Sequence, residues 1–501
     1  MSSEYIQHKL VKPNSIESRE YQISLANDAK VNNSLVVLPT GLGKTTIALL
    51  VLLDILLEGK GGVLFLAPTR VLVNQHFEFL KDNVLLDDIG IITGEDLLNN
   101  RKKLWINSII CATPEITRND LKRKIVHPEQ FSLVIFDEAH RAVGDYAYTT
   151  IANYFSDNVR FLGMTATLPS EQQKATEVVK SLRVKNILQK TDESPDVRSY
   201  IKETKIEWVN VDLPPELKAI QTCLKLALNE RYSQLIKNGL HLLSNNKSLS
   251  ALLRQRQYVL TQNRRSAKPL FTAIRITYAL NILEAHGITS FLKFCERTQK
   301  KTGAGIKELF EADPNFTRAI HLAMSAQSKG IEHSKITKLQ EILSSVTDKV
   351  LIFTSYRDSV NVINARLNDI GIKSEILIGK AGEHGLKQKK QIETVQRFRD
   401  GITKTLVATR VGEEGLDISE VNLVIFYDNV PSSIRFIQRK GRTGRKSAGR
   451  LVVLIANDTI DEVYYWIGKR KITSAKLIGE KLSKKLASGE IIPTESLDSF
   501  L

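Results

Sequence analysis

Between residues 34 and 168 the chain alternates short apolar runs with longer stretches whose apolar residues recur at helical spacing. The runs are SLVVL, GVLFLA, SIICAT, SLVIFDE and FLGMTAT. Such runs have no polar face to offer water, so they predict strands of a parallel sheet covered by helices on both sides. From about residue 349 to 455 the same grammar returns in KVLIFTS, SEILIG, KTLVATR, NLVIFYD and RLVVLIA, which predicts a second α/β lobe.

Between the two, from about residue 210 to 330, the strand signal vanishes and helix formers take over, as in LKAIQTCLKLALNERYSQLIKNGL. The expected organisation is a first lobe over 1–209, an all-helical insert over 210–330, a second lobe over 331–470 and a basic tail over 471–501. A chain of 501 residues exceeds one ordinary core, which agrees with several domains.

Net charge is +16, and basic residues exceed acids by about ten within the insert, so the expected partner is a polyanion. Arg254, Arg256, Arg264 and Arg265 are the candidate phosphate contacts there. The three cysteines, Cys111, Cys223 and Cys295, form no CxxC pair, which argues against zinc, an iron–sulfur cluster or a disulfide framework. Neither a signal-peptide core nor a membrane-length apolar run is present, which predicts a cytoplasmic protein.

The strongest chemical signal is Leu38-Pro39-Thr40-Gly41-Leu42-Gly43-Lys44-Thr45-Thr46, between the run SLVV and the helical TIALLVLLDILL. A phosphate needs backbone N–H groups aimed at it from a glycine-permitted turn and a helix start, and this order supplies both. Lys44 is expected to hold the β and γ phosphates of ATP, and Thr45 to bind Mg²⁺. Asp137-Glu138-Ala139-His140 ends the run SLVIF, which puts its carboxylates at the ligand-binding edge of the sheet. Asp137 is expected to hold Mg²⁺ through water, and Glu138 to polarise the water that attacks the γ-phosphate. In the second lobe, Gln438-Arg439-Lys440-Gly441-Arg442-Thr443-Gly444-Arg445 gathers four cations among glycines, a composition that suits a triphosphate brought from the other lobe. Arg442 and Arg445 are the expected arginine fingers.

In motif order and spacing the chain resembles superfamily 2 helicases, which implies an α/β fold of two RecA-like parallel-sheet lobes with an all-helical domain inserted between them. Against that family, Arg19, Tyr21 and Gln22 look like the adenine-recognition element. Arg70, Thr93, Gly94 and Thr113 match first-lobe contacts to a nucleic-acid backbone, as Ser355 and Thr409 do in the second lobe. Thr165 and Thr167, with His140, resemble the element that couples ATP state to the nucleic-acid site. Gly415 and Asp417 are implied to approach the ribose and the γ-phosphate.

Four stretches resemble the archaeal Hef helicase and its relatives, the Fanconi anaemia complementation group M protein and the fungal fork-remodelling helicases: DEAHRAVGDYAY, SPDVRSYIKETKIEWVNVDLP, VGEEGLD and VPSSIRFIQRKGRTGR. The resemblance implies ATP-driven 3′-to-5′ movement on forked or branched DNA in fork repair and recombination, in a nucleoid-associated prokaryotic protein. It further suggests a separate nuclease, a sliding clamp or a single-strand-binding protein as partner. No ERKxxxD motif is present, so nuclease activity is not expected. An RNA-directed ATPase related to viral-RNA sensors and Dicer-type helicases is the competing expectation. A binding scaffold with a dead ATP site would lack Lys44, Glu138 or a finger, and all are present.

Overall fold

The computed structural model of the chain describes residues 4–200, 204–379, 386, 388–412, 418, 421–442 and 449–490. The first sheet contains β1 (Ser34–Val37), β2 (Gly62–Leu66), β3 (Ile89–Ile92), β4 (Ile109–Ala112), β5 (Phe131–Asp137), β6 (Arg160–Thr165) and β7 (Asn186–Gln189). Their spatial order is β3-β4-β2-β5-β6-β1-β7, and every neighbouring pair is parallel. Val36, Phe65 and Ile135 enter one core with the helix α2 (Lys44–Leu57), while Leu35, Leu64 and Val134 enter a second core on the opposite face. Both faces are dry, which is why these strands read as unbroken apolar runs.

The second sheet contains β8 (Thr204–Val211), β9 (Val350–Phe353), β10 (Ser374–Leu377), β11 (Thr405–Ala408), β12 (Leu423–Phe426) and β13 (Gly449–Ala456). It is again parallel throughout, in the order β10-β11-β9-β12-β13-β8. The two parallel α/β lobes are therefore as expected. β8 shows where the expected division at residue 209 departs from the fold. It pairs along its whole length with β13, from Thr204↔Gly449 to Val211↔Ala456, so the chain joins the second sheet before it enters the helical region. TKIEWVNV makes no continuous apolar run because β8 is an edge strand that is only partly covered: Ile206 packs on one core of the second lobe and Val209 on another, while Lys205, Trp208 and Asn210 are exposed.

The insert thus leaves and re-enters the second lobe, between β8 and β9. Its long helices Pro215–Lys237, Ala267–His286, Ile288–Gln299 and Pro314–Ser328 pack around Leu217, Leu224, Ile276, Phe291 and Phe316. The expected tail boundary at 471 is also absent from the fold, because one unbroken helix runs from Ile460 to Ala487. Among its lysines it buries a stripe of Tyr465, Gly468, Ala475, Gly479 and Leu482, at helical spacing. This closing helix starts against the second sheet and ends in the first lobe, where Leu482 joins the core and Ser483 Oγ donates to Ile187 O at 3.3 Å. Among the described residues, no helix is long and apolar enough to cross a membrane.

Candidate active site and nucleic-acid interface

The ATP motifs sit at the C-terminal ends of the adjacent strands β5, β6 and β1. Val37 pairs with Thr165, and Asp137 with Met164, so the loop Pro39–Gly43, the Thr165 segment and the Asp137–His140 turn emerge side by side. Gly41 and Gly43 hold φ of 89° and 76°, in the left-handed region where a side chain is strained. A Cβ on Gly43 would also strike the Gln22 amide. That amide donates to Leu42 O at 3.0 Å and the Tyr21 hydroxyl donates to the same oxygen at 2.8 Å, which ties α1 (Glu20–Ala29) to the phosphate loop. Lys44 Nζ donates to Leu38 O at 2.9 Å, so the loop holds its own cation where a phosphate would draw it. Thr45 and Thr46 open α2 behind it, and Thr46 is buried.

Asp137 and Glu138 are both buried. Asp137 Oδ1 accepts from the Glu138 N–H at 2.9 Å, and Oδ2 accepts from His76 Nε2 at 2.9 Å. Glu138 adopts φ 50°, a strained value for a residue other than glycine. His140 Nδ1 lies 3.2 Å from Glu138 Oε2, but its hydrogen-bonding geometry is satisfied by Thr165 Oγ1 at 3.0 Å. Glu138 Oε2 is therefore buried without a hydrogen bond. Burial pushes the Glu138 carboxyl up, but His140, Lys44 and Arg141 together pull it down further, to about 2. It stays a carboxylate at any working pH, able to accept a hydrogen bond from an attacking water. An anionic pair of this kind, with an unsatisfied oxygen near Lys44 at the start of α2, fits a hard divalent cation. The expected coupling set is joined as well, since His140 meets Thr165 and Thr165 Oγ1 donates to Thr167 O at 2.9 Å.

The second lobe reaches this site through the helix Ser433–Lys440. Thr40 Oγ1 donates to Ile437 O at 3.5 Å, Gly441 is packed so closely on Thr40 that a Cβ would clash, and Lys440 Nζ pairs with Asp192 at 2.9 Å. Arg442 follows directly, with its carbonyl bonded to Val421 N at 3.2 Å. Gln438 is buried. One of the four cations read as phosphate-directed has a different task. Arg439 is fully buried between the rings of Phe353 and Phe426, at 5.3 and 5.4 Å, and donates to Asp428 O and Ser355 Oγ. Arg445, Gly415 and Asp417 lie outside the described residues.

A cavity of about 670 Å³ opens between the lobes beside the phosphate loop, lined by Thr40, Leu42, Thr167, Tyr200, Ile437 and Ala475 among others. Two of its walls were not foreseen from sequence. Tyr200 carries the Arg19 guanidinium over its ring at 5.5 Å, and Ala475 belongs to the closing helix.

The expected nucleic-acid contacts lie on the other half of the same sheet edge. Thr69–Arg70, Thr93–Gly94 and Thr113 follow β2, β3 and β4, which are neighbours in the order β3-β4-β2. Arg70 pairs with Glu95 and stands beside Gly94, while Thr93 Oγ1 donates to Asp96 at 3.1 Å. Thr113 is buried at the start of its helix. In the second lobe Ser355 and Thr409 follow the adjacent strands β9 and β11; Ser355 is exposed and Thr409 buried. Arg254, Arg256, Arg264 and Arg265 are all exposed on the insert and form no ion pair among the described residues.

Two stacked parallel lobes, with a phosphate loop on one and a cationic helix end of the other pressed on it, define a two-lobed P-loop ATPase. The comparisons narrow this class. Residues 19–175 match the DEAD/DEAH box helicase model, and residues 334–447 match the helicase conserved C-terminal domain. The crystal structure of the Pyrococcus furiosus Hef helicase domain is 36% identical, with a TM-score of 0.68, covering 91% of this chain and 99% of that one. A Methanocaldococcus jannaschii relative, described provisionally as an ATP-dependent RNA helicase, is 36% identical over 482 residues, 92% of this chain and 60% of its own length. The ATP-dependent DNA helicase MPH1 of Pyricularia oryzae is 33% identical over 489 residues, 89% of this chain and 44% of its own length. The chain belongs to the Hef family of superfamily 2 helicases and spans about half the length of the curated relatives it matches.

Proposed function

We propose that this chain is an ATP- and Mg²⁺-dependent DNA helicase that moves 3′ to 5′ on forked or branched DNA, in replication-fork repair and recombination. The observation that carries the reading is one shared edge: β5, β6 and β1 present the ATP motifs, and β2, β3 and β4 present beside them the residues we assign to the DNA backbone. A change at the phosphates has only to cross neighbouring strand ends to reach the DNA. Thr45 and Asp137 would hold Mg²⁺, which neutralises phosphate charge when bound. Glu138 orients the attacking water, and Lys44 leaves Leu38 O for the phosphates. Arg442 and Arg445 enter from the second lobe as ATP closes the seam, and hydrolysis lets them withdraw. Each closure shortens the distance between the two lobes' grips on the backbone and advances the chain. Arg254, Arg256, Arg264 and Arg265 steady the duplex through phosphates. A separate nuclease, clamp or single-strand-binding protein would act beside it on the nucleoid.

The test is strand displacement and ATPase on forks, four-way junctions, linear duplex and RNA, with Arg442→Ala and Arg445→Ala as controls. Forks should stimulate most, and each control should lose about a thousandfold in turnover with little change in ATP affinity. Equal stimulation by linear duplex removes the branch preference. The description of the Methanocaldococcus relative favours a second reading, an RNA-directed ATPase, and stimulation by RNA alone would select it.

A further inference from the structure

The helix α3 (Arg70–Asn83) turns Val73, His76 and Leu80 toward the sheet, a spacing that ordinarily belongs to apolar residues. His76 interrupts that stripe. Its imidazole is buried against the Phe65 ring, with centroids 4.3 Å apart, and a polar ring in that place must find a partner. The partner is Asp137 Oδ2, at 2.9 Å. The other carboxylate oxygen is held by the Glu138 N–H, and the Tyr148 hydroxyl holds the backbone beneath by donating to Asp137 O at 2.7 Å. Each Asp137 oxygen thus has one fixed donor and keeps its remaining acceptor capacity.

We infer that His76 is a positioning residue: it fixes the carboxylate of Asp137 in the orientation that receives hydrated Mg²⁺ in the ATP site. The inference rests on the proposed Mg²⁺ role of Asp137. Groups that hydrogen-bond a metal-holding side chain from behind set its rotation, and their loss typically lowers metal affinity or activity about tenfold to a hundredfold. A merely structural histidine would cost only melting temperature.

The experiment measures binding of fluorescent ADP by the whole chain, titrated with Mg²⁺ or held in EDTA. His76→Leu should bind ADP as the wild type does in EDTA, yet need about tenfold to a hundredfold more Mg²⁺ to reach its Mg²⁺-dependent affinity. His76→Gln, whose amide N–H can donate to the same oxygen, should recover most of that response. Should the leucine variant fail to fold, His76→Asn, with a shorter amide, carries the same expectation as leucine. A leucine or asparagine variant with a wild-type Mg²⁺ response and only a lower melting temperature overturns the inference. Asp137→Asn separates the two claims. If it loses the Mg²⁺ response while the His76 variants keep it, the positioning role alone fails. If it too keeps the response, the Mg²⁺ role of Asp137 fails, and the inference with it.

Discussion

The polar contacts that Glu284 makes between the insert and the second lobe are buried, whereas the ion pairs between the two lobes are partly exposed. Where the second lobe receives the insert, its own Lys335 Nζ pairs with its Asp461 at 2.9 Å and donates to Tyr427 O at 2.8 Å, with both charged side chains fully buried. Glu284 of the insert accepts from the Ile460 N–H at 2.7 Å and from Gln221 at 2.8 Å, and His333 bonds Glu284 O at 2.9 Å. At the seam Lys440–Asp192 and Lys476–Glu193 are partly exposed pairs, while Ile478, Leu482 and Leu486 of the closing helix pack on the first-lobe core. Surface pairs cost little to break, but separating a buried pair strands a charge. In the proposed cycle, this difference puts the hinge at the seam and lets the insert ride with the second lobe.

The largest effect should come from Lys335→Ala. Asp461 would keep the Asn429 and Ala456 N–H bonds, at 2.8 and 3.1 Å, but lose its cation in a dry site. Breaking such a pair costs about 3–5 kcal/mol, read as a shift in the urea midpoint. A shift below about 1 kcal/mol would mean the junction is no firmer than the seam.

Much of this architecture was legible in the sequence, for a physical reason: strands buried on both faces show as continuous apolar runs, and the ATP motifs have fixed order along the chain. The edge strands were harder. β7 is only four residues, NILQ, with partly exposed positions, and β8 is broken up by Lys205, Glu207 and Asn210, so neither resembles the central runs. The joining of His140 to Thr165 followed from family likeness alone. Arg439 could not be told from Arg442 by composition, since only the Phe353 and Phe426 rings reveal that one cation is buried. His76 did leave a signal, a histidine at a core-facing position of α3. The closing helix hid its role because its lysines mask a stripe of small residues.

Acid should loosen the same junction by a smaller amount. His333 Nδ1 accepts from the Lys335 N–H at 3.1 Å, so Nε2 must be the donor to Glu284 O, and both nitrogens of the neutral ring are used. Burial, with the Lys335 charge beside it, lowers the His333 pKa from 6.5 to about 3. The unfolded chain takes up a proton below about pH 6.5 that the folded chain refuses until about pH 3, so stability is full above that window and falls as pH drops through it. The slope approaches about 1.4 kcal/mol per pH unit for one proton. Urea midpoints between pH 7 and 5 should fall more steeply in the wild type than in His333→Asn, and parallel slopes would count against this account.

The smallest effect belongs to the seam, and it sharpens the comparison most. Lys440→Ala removes the ion pair to Asp192, but both groups are already partly in water, at 32% and 41% side-chain exposure. Its cost should stay under about 1 kcal/mol and shrink further in high salt, because exposed pairs are screened. The Lys335→Ala loss should persist in the same salt, since its site excludes ions. If instead Lys440→Ala proved as costly as Lys335→Ala and as insensitive to salt, the lobes would be locked by that contact, and closure on ATP would have to bend the protein at some place other than the seam.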